Sequence, residues 1–218
     1  MTIKIKIGST LIPFQLILMY IFNTVILQYT INPVILQIGN FVPALLVFFI
    51  TLYLFKDTLV SDWKKLSLSK WKLLLIAILG VIAIQLIFNV VNILFPVYEN
   101  DLDRIAIPFS GLSFSEKVLF LIFSVGTVAS GLTEEVYFRY LFIKKIFIKH
   151  QYFGLICSSF LFGVAHYFLE YTFVSTISYM VIGLFFGLIY LKTDNIWYTI
   201  SIHMLNNLCF SILITFIS

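Results

Sequence analysis

The sequence predicts an all-α fold, a polytopic transmembrane helix bundle of about seven spans. Of the 218 residues, 61% are hydrophobic and only 11% are charged, and the mean hydropathy is +1.06. Long apolar runs follow one another along the chain and are separated by short polar stretches. Because runs of this length and composition are typical of helices that cross a bilayer, we expect one integral membrane domain.

The breaks between the apolar runs set the limits of the predicted spans. Asn32-Pro33 ends the first run, a lysine-rich stretch at 56–72 follows the second, and an acidic stretch at 96–115 follows the third. The spans are predicted at residues 11–31, 34–55, 73–95, 116–148, 152–168, 173–191 and 195–217. An eighth, short or re-entrant segment is left open.

The fourth span has a clear start and an unusual length. Ser113 and Glu116 have the spacing of a capping box, which predicts that a helix begins there. At ~1.5 Å per residue, the run 116–148 is longer than the ~30 Å hydrocarbon core of a bilayer. We therefore expect this helix to tilt, kink or protrude.

The basic residues indicate how the bundle lies in the membrane. With the N-terminus placed in the cytoplasm, all of the 14 Lys and Arg residues except Arg104 and Lys117 fall at the cytoplasmic end of the spans. Glu99, Asp101 and Asp103 fall at the opposite end. The positive-inside rule describes this asymmetry, so we expect a cytoplasmic N-terminus and a C-terminus outside. The basic pI near 9.0 is then explained by the lysines that orient the protein in the membrane, and we expect no nucleic-acid partner.

The fourth span also carries the charges that stand out most. Glu134, Glu135 and Arg139 lie inside an apolar run, where an ionisable residue is expensive and suggests a functional site. Glu135 and Arg139 are four residues apart and share a helix face, so they can form an ion pair that supports the site. Glu134 is rotated by about 100° from Glu135 and is left to handle protons.

Two later spans carry three more polar residues. His166 lies on the fifth span, and His203 and Asn207 share one face of the seventh. Counted at ~1.5 Å per residue from the lysine-rich ends, their depths overlap with that of Glu134. We therefore expect these four residues to meet near the middle of the bilayer, displaced toward the lysine-rich end. We interpret four other polar residues as packing or interfacial groups: Asn89, Asn92, His150 and Asn206.

A carboxylate, two imidazoles and a carboxamide around one water can hydrolyse an amide. In a low-dielectric pocket Glu134 can act as a general base, and His166 can share the water and pass a proton to the leaving amine. His203 and Asn207 can donate hydrogen bonds to the oxyanion. Taken singly, each of the histidines and the asparagine is more simply explained as an interhelical hydrogen-bonding group. Their combination on three helices favours a site.

Zinc is a second option for the same residues. His166, His203 and Glu134 are ligand types that zinc accepts. The His-Glu-x-x-His helix of zinc proteases is absent from the sequence, however, and the two histidines lie on different helices. No cofactor is therefore assigned from the sequence, and zinc is left open.

These residues resemble the three motifs of the CAAX protease and bacteriocin-processing family, also called CPBP or Abi. The motifs are Glu134-Glu135-x-x-x-Arg139, Phe162-x-x-x-His166 and His203-x-x-x-Asn207, in the family's order and on the last four helices. The resemblance implies a CAAX-protease-like fold with a four-helix catalytic core at 116–218, preceded by three helices at 1–115. It also implies an intramembrane endopeptidase. Glu134 and His166 would activate the water, and His203 and Asn207 would stabilise the oxyanion.

The expected substrate is a membrane-associated peptide or protein, cut on the cytoplasmic side of a bacterial plasma membrane. Bacterial members of the family are associated with peptide maturation and with self-immunity to bacteriocins. The alternative is a non-enzymatic membrane protein, either an immunity or interaction factor or a small transporter, that uses the same polar cluster to bind a ligand. The two hypotheses differ in whether function needs Glu134 as a base. The oligomeric state is not predicted.

Overall fold

Seven helical segments make up the computed structural model, which describes residues 2–66, 68–96, 109, 111–168 and 173–216. They are α1 (Ile3–Leu27), α2 (Pro33–Lys64), α3 (Lys70–Leu94), α4 (Phe114–Ile146), α5 (Gln151–Tyr167), α6 (Phe173–Thr193) and α7 (Ile196–Phe216). Within the described ranges, six are long and apolar enough to cross a membrane, and α5, with 17 residues, is shorter. The predicted all-α membrane bundle is therefore confirmed.

The first two helices follow the predicted breaks with one correction. The segment α1 consists of a short helix, Ile3–Gly8, and a longer one, Leu11–Leu27. The side chain of Asn32 accepts hydrogen bonds from the backbone at the start of α2, as expected at an N-cap before proline. The prediction that α2 ends near residue 55 is wrong, because the helix continues to Lys64.

The extra turns of α2 are held by the beginning of α7. The indole N–H of Trp197 donates to the carbonyl oxygen of Leu59 at 2.8 Å, and its ring packs edge-on against Trp63 at 4.9 Å. The amide of Asn195 donates to the carbonyl oxygen of Asp62 at 2.6 Å. Half of the predicted lysine-rich loop is therefore helix, because tertiary contacts cover it. Most of the predicted acidic loop, residues 97–108 and 110, lies outside the described residues.

The helix α4 begins where the capping box predicts and changes its geometry twice. The Ser113 hydroxyl accepts from the backbone N–H of Glu116, and the Glu116 carboxylate accepts from the backbone N–H of Ser113 at 2.9 Å. A first part, Phe114–Phe123, ends at Ser124, and a second part, Val125–Glu135, follows it. The last part, Val136–Ile146, is a π-helix that begins directly after the paired glutamates.

The central position of α4 places its charged residues inside the bundle. It packs against α2, α5 and α7, whereas α1 packs on α2 and α3 packs on α6 and α7. The buried core around it is aromatic and aliphatic, with Phe138, Leu141, Phe162, Phe186 and Ile200 all at most 2% exposed. The helices α5 and α6 approach closely at Gly163 and Gly183, as small residues allow in membrane bundles.

The lysine-rich segments gather at one end of the bundle. Lys4 at the start of α1 lies 3.8 Å from Asp57 near the end of α2. Lys144 near the end of α4 lies 2.6 Å from Asp194, in the turn between α6 and α7. These contacts bring the ends of alternating helices together, as the antiparallel order of the predicted spans requires.

Candidate active site

One cavity of about 480 Å³ lies among the helices and contains the four residues that the sequence predicted to meet. Glu134 from α4, His166 from α5, and His203 and Asn207 from α7 all line it. Its walls also include residues of α1, α2, α3 and α6. The fold therefore brings the side chains of three separate motifs to one space.

Glu135 and Arg139 form the buried ion pair that their spacing predicted. Arg139 Nε lies 3.2 Å from Glu135 Oε2, and both side chains are fully buried. A second guanidinium nitrogen donates to the hydroxyl of Ser158 on α5 at 3.0 Å. The rings of Phe162 and Phe186 face the guanidinium at 4.9 and 5.6 Å, within the range of cation–π contacts. The pair therefore fixes α4 against α5 and α6.

His203 is held by Glu135 and points toward Glu134. Its Nδ1 lies 2.9 Å from Glu135 Oε1. Because Glu135 is an ionised partner of Arg139, its oxygen accepts, and Nδ1 of His203 carries the proton. The other ring nitrogen, Nε2, lies 3.7 Å from Glu134 Oε2. A carboxylate that fixes one imidazole nitrogen and so aims the other at the reacting groups is a common catalytic arrangement.

Glu135 therefore has a second contact that its helical spacing did not reveal. The sequence identified its partner four residues away, whereas His203 is on another helix. The sequence did show a second carboxylate, Glu135, next to the expected base. Whether this carboxylate contacts His203, however, depends on how α4 and α7 are rotated against each other.

His166 is oriented by the backbone of its own helix. Its Nδ1 lies 2.7 Å from the carbonyl oxygen of Phe162. Because a carbonyl oxygen only accepts, Nδ1 donates, and Nε2 of the neutral ring is an acceptor. The ring stacks on Tyr179 of α6, with centroids 3.7 Å apart and planes inclined by 15°. Tyr179 was not predicted, because no motif in the sequence includes it.

Asn207 lines the same cavity as Glu134 but also forms a hydrogen bond outside it. Its amide nitrogen donates to the carbonyl oxygen of Thr127 on α4 at 3.0 Å. A carboxamide has two N–H donors, so one proton is used in this contact and a second remains for the cavity. Its role as an oxyanion donor stays a prediction.

Glu134 differs from Glu135 in its environment. Its side chain is 17% exposed, whereas that of Glu135 is fully buried. Among the described residues, Glu134 Oε2 has no hydrogen-bond donor. A buried polar atom in this state is costly and calls for a functional explanation. It is the property expected of a carboxylate that binds a reacting group in the cavity.

The cavity reaches from the middle of the bundle toward the end opposite the lysines. His166 is the last residue but one of α5, Asn92 lies in the last turn of α3, and Ser175 lies in the first turn of α6. Glu134 and His203, by contrast, lie nearer the lysine-rich ends of their helices, at Ile146 of α4 and Ile196 of α7, so the expected displacement of the four residues toward that end stays a prediction. The depth count assumed that α5 and α7 begin at one level. Phe162 lies well along α5, yet its ring contacts His203 near the start of α7 at 5.9 Å.

The predicted zinc ligands do not form a metal site in this arrangement. In the part of the chain that the structure describes, no three His, Cys, Asp or Glu side chains are grouped as metal ligands. The residues Glu134, His166 and His203 therefore do not fit a zinc ion here, and we derive no step through a metal.

Several carboxamides in the cavity wall were not predicted as site residues. They are Gln15, Asn40, Gln85, Asn89, Asn92 and Asn206. The sequence alone favours packing or interfacial roles for Asn89, Asn92 and Asn206. The signal that could have found them is the shared helix face of Gln85, Asn89 and Asn92 in an otherwise apolar span.

Comparison with known families agrees with the motifs. The family model for type II CAAX prenyl endopeptidase, Rce1-like, matches residues 116–209. This segment is similar to an Rce1-like domain. It runs from the first turn of α4 into α7, contains all six predicted site residues, and confirms the resemblance to the CAAX protease family. At the level of the family, the match supports a CAAX-type intramembrane protease. Searches of curated proteins and of solved structures gave no match.

Proposed function

We propose that this protein is an intramembrane endopeptidase that hydrolyses a peptide bond of a membrane-associated peptide or protein. The observation that carries the proposal is the convergence of Glu134, His166, His203 and Asn207 on one cavity within the Rce1-like domain. Chains of buried polar groups are expensive inside a membrane and mark functional sites. Here a series of contacts joins Arg139 to Glu135, Glu135 to His203, and His203 to the carboxylate of Glu134.

The mechanism follows from what each group can donate or accept. Glu134 takes a proton from a water in the cavity, and the resulting hydroxide attacks the substrate carbonyl carbon. His203 in its protonated form keeps Nδ1–H on Glu135 and offers Nε2–H to the oxyanion, and the second amide proton of Asn207 supplies another donor. Nε2 of the neutral His166 then accepts this proton from Glu134 and passes it to the leaving amine, which completes cleavage of the C–N bond.

The charge distribution supports an orientation for this reaction. Placing the lysine-rich end in the cytoplasm puts the N-terminus inside and the C-terminus outside, in the plasma membrane of a bacterium. The cavity then extends toward the outer leaflet rather than toward the cytoplasm. The three N-terminal helices complete the site of the four-helix core. Peptide maturation and self-immunity to bacteriocins are the physiological roles that such a protease would serve.

The proposal is tested with purified protein in lipid and a pool of hydrophobic peptides that carry a fluorophore and a quencher. We expect wild-type protein to cleave members of the pool with or without a chelator. Glu134→Gln keeps the shape of the side chain but removes the base, so cleavage should fall by about 10²-fold or more. Glu116→Gln is the matched control, because Glu116 lies in the capping box of α4 and outside the cavity.

Full cleavage by Glu134→Gln would contradict the proposal. It would favour the non-enzymatic alternative, in which the polar cluster only binds a ligand. Loss of cleavage in the chelator would instead contradict the metal-free mechanism while leaving endopeptidase activity in place.

A further inference from the structure

The helix α3 carries a strip of carboxamides that the proposed chemistry does not use. Between residues 73 and 94 its polar side chains are Gln85, Asn89 and Asn92. The spacing of four and three residues places them on one face of the helix. All three are exposed and line the cavity. The other exposed residues of this part of α3 are apolar: Leu74, Leu75, Ile78, Leu79, Ile82, Leu86, Val90, Ile93 and Leu94.

A carboxamide strip of this kind is not suited to contact with lipid. Polar groups exposed to hydrocarbon lose hydrogen bonds at a cost of several kcal/mol each. The strip is therefore explained by the cavity that it borders. Gln85 also donates to the carboxamide of Asn206 on α7 at 3.4 Å, which connects the strip to the helix of His203.

Another wall of the cavity contains a hydrogen-bond acceptor that, among the described residues, has no donor. Gln15 of α1 is 5% exposed and lines the cavity. Its amide nitrogen donates to the hydroxyl of Ser130 at 3.0 Å. Its Oε1 is buried and, among the described residues, has no hydrogen-bond partner. A buried acceptor in this state costs about 1–3 kcal/mol, which a ligand with an N–H donor would recover.

The strip and Gln15 lie on the two sides of a cleft. The helix α1 packs on α2, whereas α3 packs on α6 and α7. Residues of α1 (Ile12, Leu16 and Met19) therefore form one wall of the cavity and the strip on α3 forms another. Among the described residues that line the cavity, none is Lys or Arg. A ligand with a free carboxylate would find no cation there.

We propose that Gln85, Asn89, Asn92 and Gln15 bind the main chain of an extended, uncharged, internal segment of the substrate. This inference rests on the proposed endopeptidase function and names the substrate class of the same cavity. Each carboxamide offers both a donor and an acceptor, as each residue of an extended peptide does. From Gln85 to Asn92 the helix rises by about 10 Å, which is the length of roughly three extended residues.

Main-chain recognition has two consequences for substrate choice. Because the strip contacts the main chain rather than the side chains of the substrate, it accepts varied sequences as long as the segment is extended and uncharged. The absence of Lys and Arg from the described cavity wall disfavours a chain end with a free carboxylate.

Binding to a catalytically inactive variant tests the proposal apart from cleavage. The probes are three fluorescent peptides of one sequence of Ala, Leu and Ser: one capped at both ends, one capped and N-methylated at alternate residues, and one with a free C-terminal carboxylate. Glu134→Gln protein in lipid nanodiscs is titrated with each, and fluorescence anisotropy gives Kd. We expect the capped peptide to bind more tightly than the N-methylated one, which lacks every second backbone N–H donor.

Removing the strip should abolish that difference. In the Glu134→Gln background, Gln85→Leu, Asn89→Leu and Asn92→Leu should each weaken binding of the capped peptide by about fivefold, as expected for one hydrogen bond. They should change binding of the N-methylated peptide much less. Asn89→Gln keeps the carboxamide and should retain binding. Val90→Leu, on the lipid-facing side of α3, is the matched control.

Equal binding of the capped and N-methylated peptides, or binding of neither, would overturn the proposal. Tighter binding of the free-carboxylate peptide would overturn the assignment of an internal segment. If the capped peptide binds more tightly and the strip variants weaken it, but wild-type protein cleaves no peptide, the result would support peptide binding by the strip. It would contradict the endopeptidase function instead.

Discussion

At the scale of single residues, Glu135 joins the structural and the chemical parts of the site. One carboxylate oxygen accepts from Arg139 and the other from His203, at 3.2 and 2.9 Å. The ion pair keeps Glu135 charged in an apolar interior, and the charge in turn fixes the proton on Nδ1 of His203. Glu134, one residue earlier, is left with an oxygen that faces the cavity. Two adjacent glutamates therefore have different tasks because the helix turns them toward different surroundings.

A double-mutant cycle can separate the charge pair from simple packing. Arg139→Met leaves Glu135 as an uncompensated buried charge, so it should lower the free energy of unfolding by about 3–5 kcal/mol. Adding Glu135→Gln to the same chain removes that charge and should recover part of the loss. Ser158→Ala, which removes one neutral acceptor of Arg139, should cost about 1 kcal/mol. Denaturant titration in mixed micelles measures these three variants and Glu135→Gln alone, which completes the cycle. A stable Arg139→Met protein would contradict the role of the ion pair.

At the scale of elements, the end of α4 departs from ordinary helix geometry at the site. The π-helix Val136–Ile146 begins at the residue after Glu135 and carries Arg139 in its first turn. Its hydrogen bonds join residues five apart, as from the backbone N–H of Phe147 to the carbonyl oxygen of Phe142 at 2.9 Å. Such helices are rare and occur often at functional sites. The change of register sets how Arg139 faces α5.

The close packing of α5 on α6 sets the position of His166. A Cβ atom at Gly163, three residues before His166, would come within 2.7 Å of the carbonyl oxygen of Thr176. One at Gly183 would lie 2.9 Å from the Cα atom of Ser159. Backbone atoms cannot move aside singly, so the two helices would have to separate.

Alanine at either glycine should therefore disturb both stability and activity. We expect Gly163→Ala and Gly183→Ala to cost about 1–3 kcal/mol through overpacking, which outweighs the gain of ~1 kcal/mol in helix propensity. Thermal unfolding in detergent and peptide cleavage are the two measurements. Gly111→Ala is the control, because a Cβ there meets nothing within 4 Å. Unchanged stability in both helix variants would argue against the tight α5–α6 contact.

At the scale of the whole molecule, the charges and the cavity lie toward opposite ends of the bundle. Lys4 and Lys144 bind acidic residues at one end. The cavity includes residues from the last turns of α3 and α5 and the first turns of α6. If the lysine-rich end is cytoplasmic, a substrate approaches the catalytic residues from the outer half of the membrane.

Cysteine labelling tests this orientation directly. Asn92→Cys and Lys64→Cys are placed separately in a chain whose natural cysteines, Cys157 and Cys209, are replaced by alanine. In right-side-out vesicles, a membrane-impermeant maleimide should label Asn92→Cys and should reach Lys64→Cys only after detergent is added. Labelling of Lys64→Cys in intact vesicles would place the lysine-rich end outside and reverse the proposed topology.

Patterns in the amino-acid sequence are enough to predict the helical architecture and the local contacts of the site. Apolar runs and their breaks located seven helical segments, and the capping box at Ser113 marked the start of α4. The ion pair of Glu135 with Arg139 followed from a spacing of four residues. These predictions hold because hydrophobic burial and contacts between neighbouring turns depend on residues close together in the chain.

How those helices meet became clear only from the three-dimensional structure. It showed that Glu135 also holds His203, that Tyr179 stacks on His166, and that carboxamides of α1 and α3 complete the cavity. It also showed that the cavity reaches toward the end opposite the lysines and that α2 extends to Lys64. The physical reason is the same in each case: the rotation and height of one helix against another are set by packing between distant residues, which no local pattern contains.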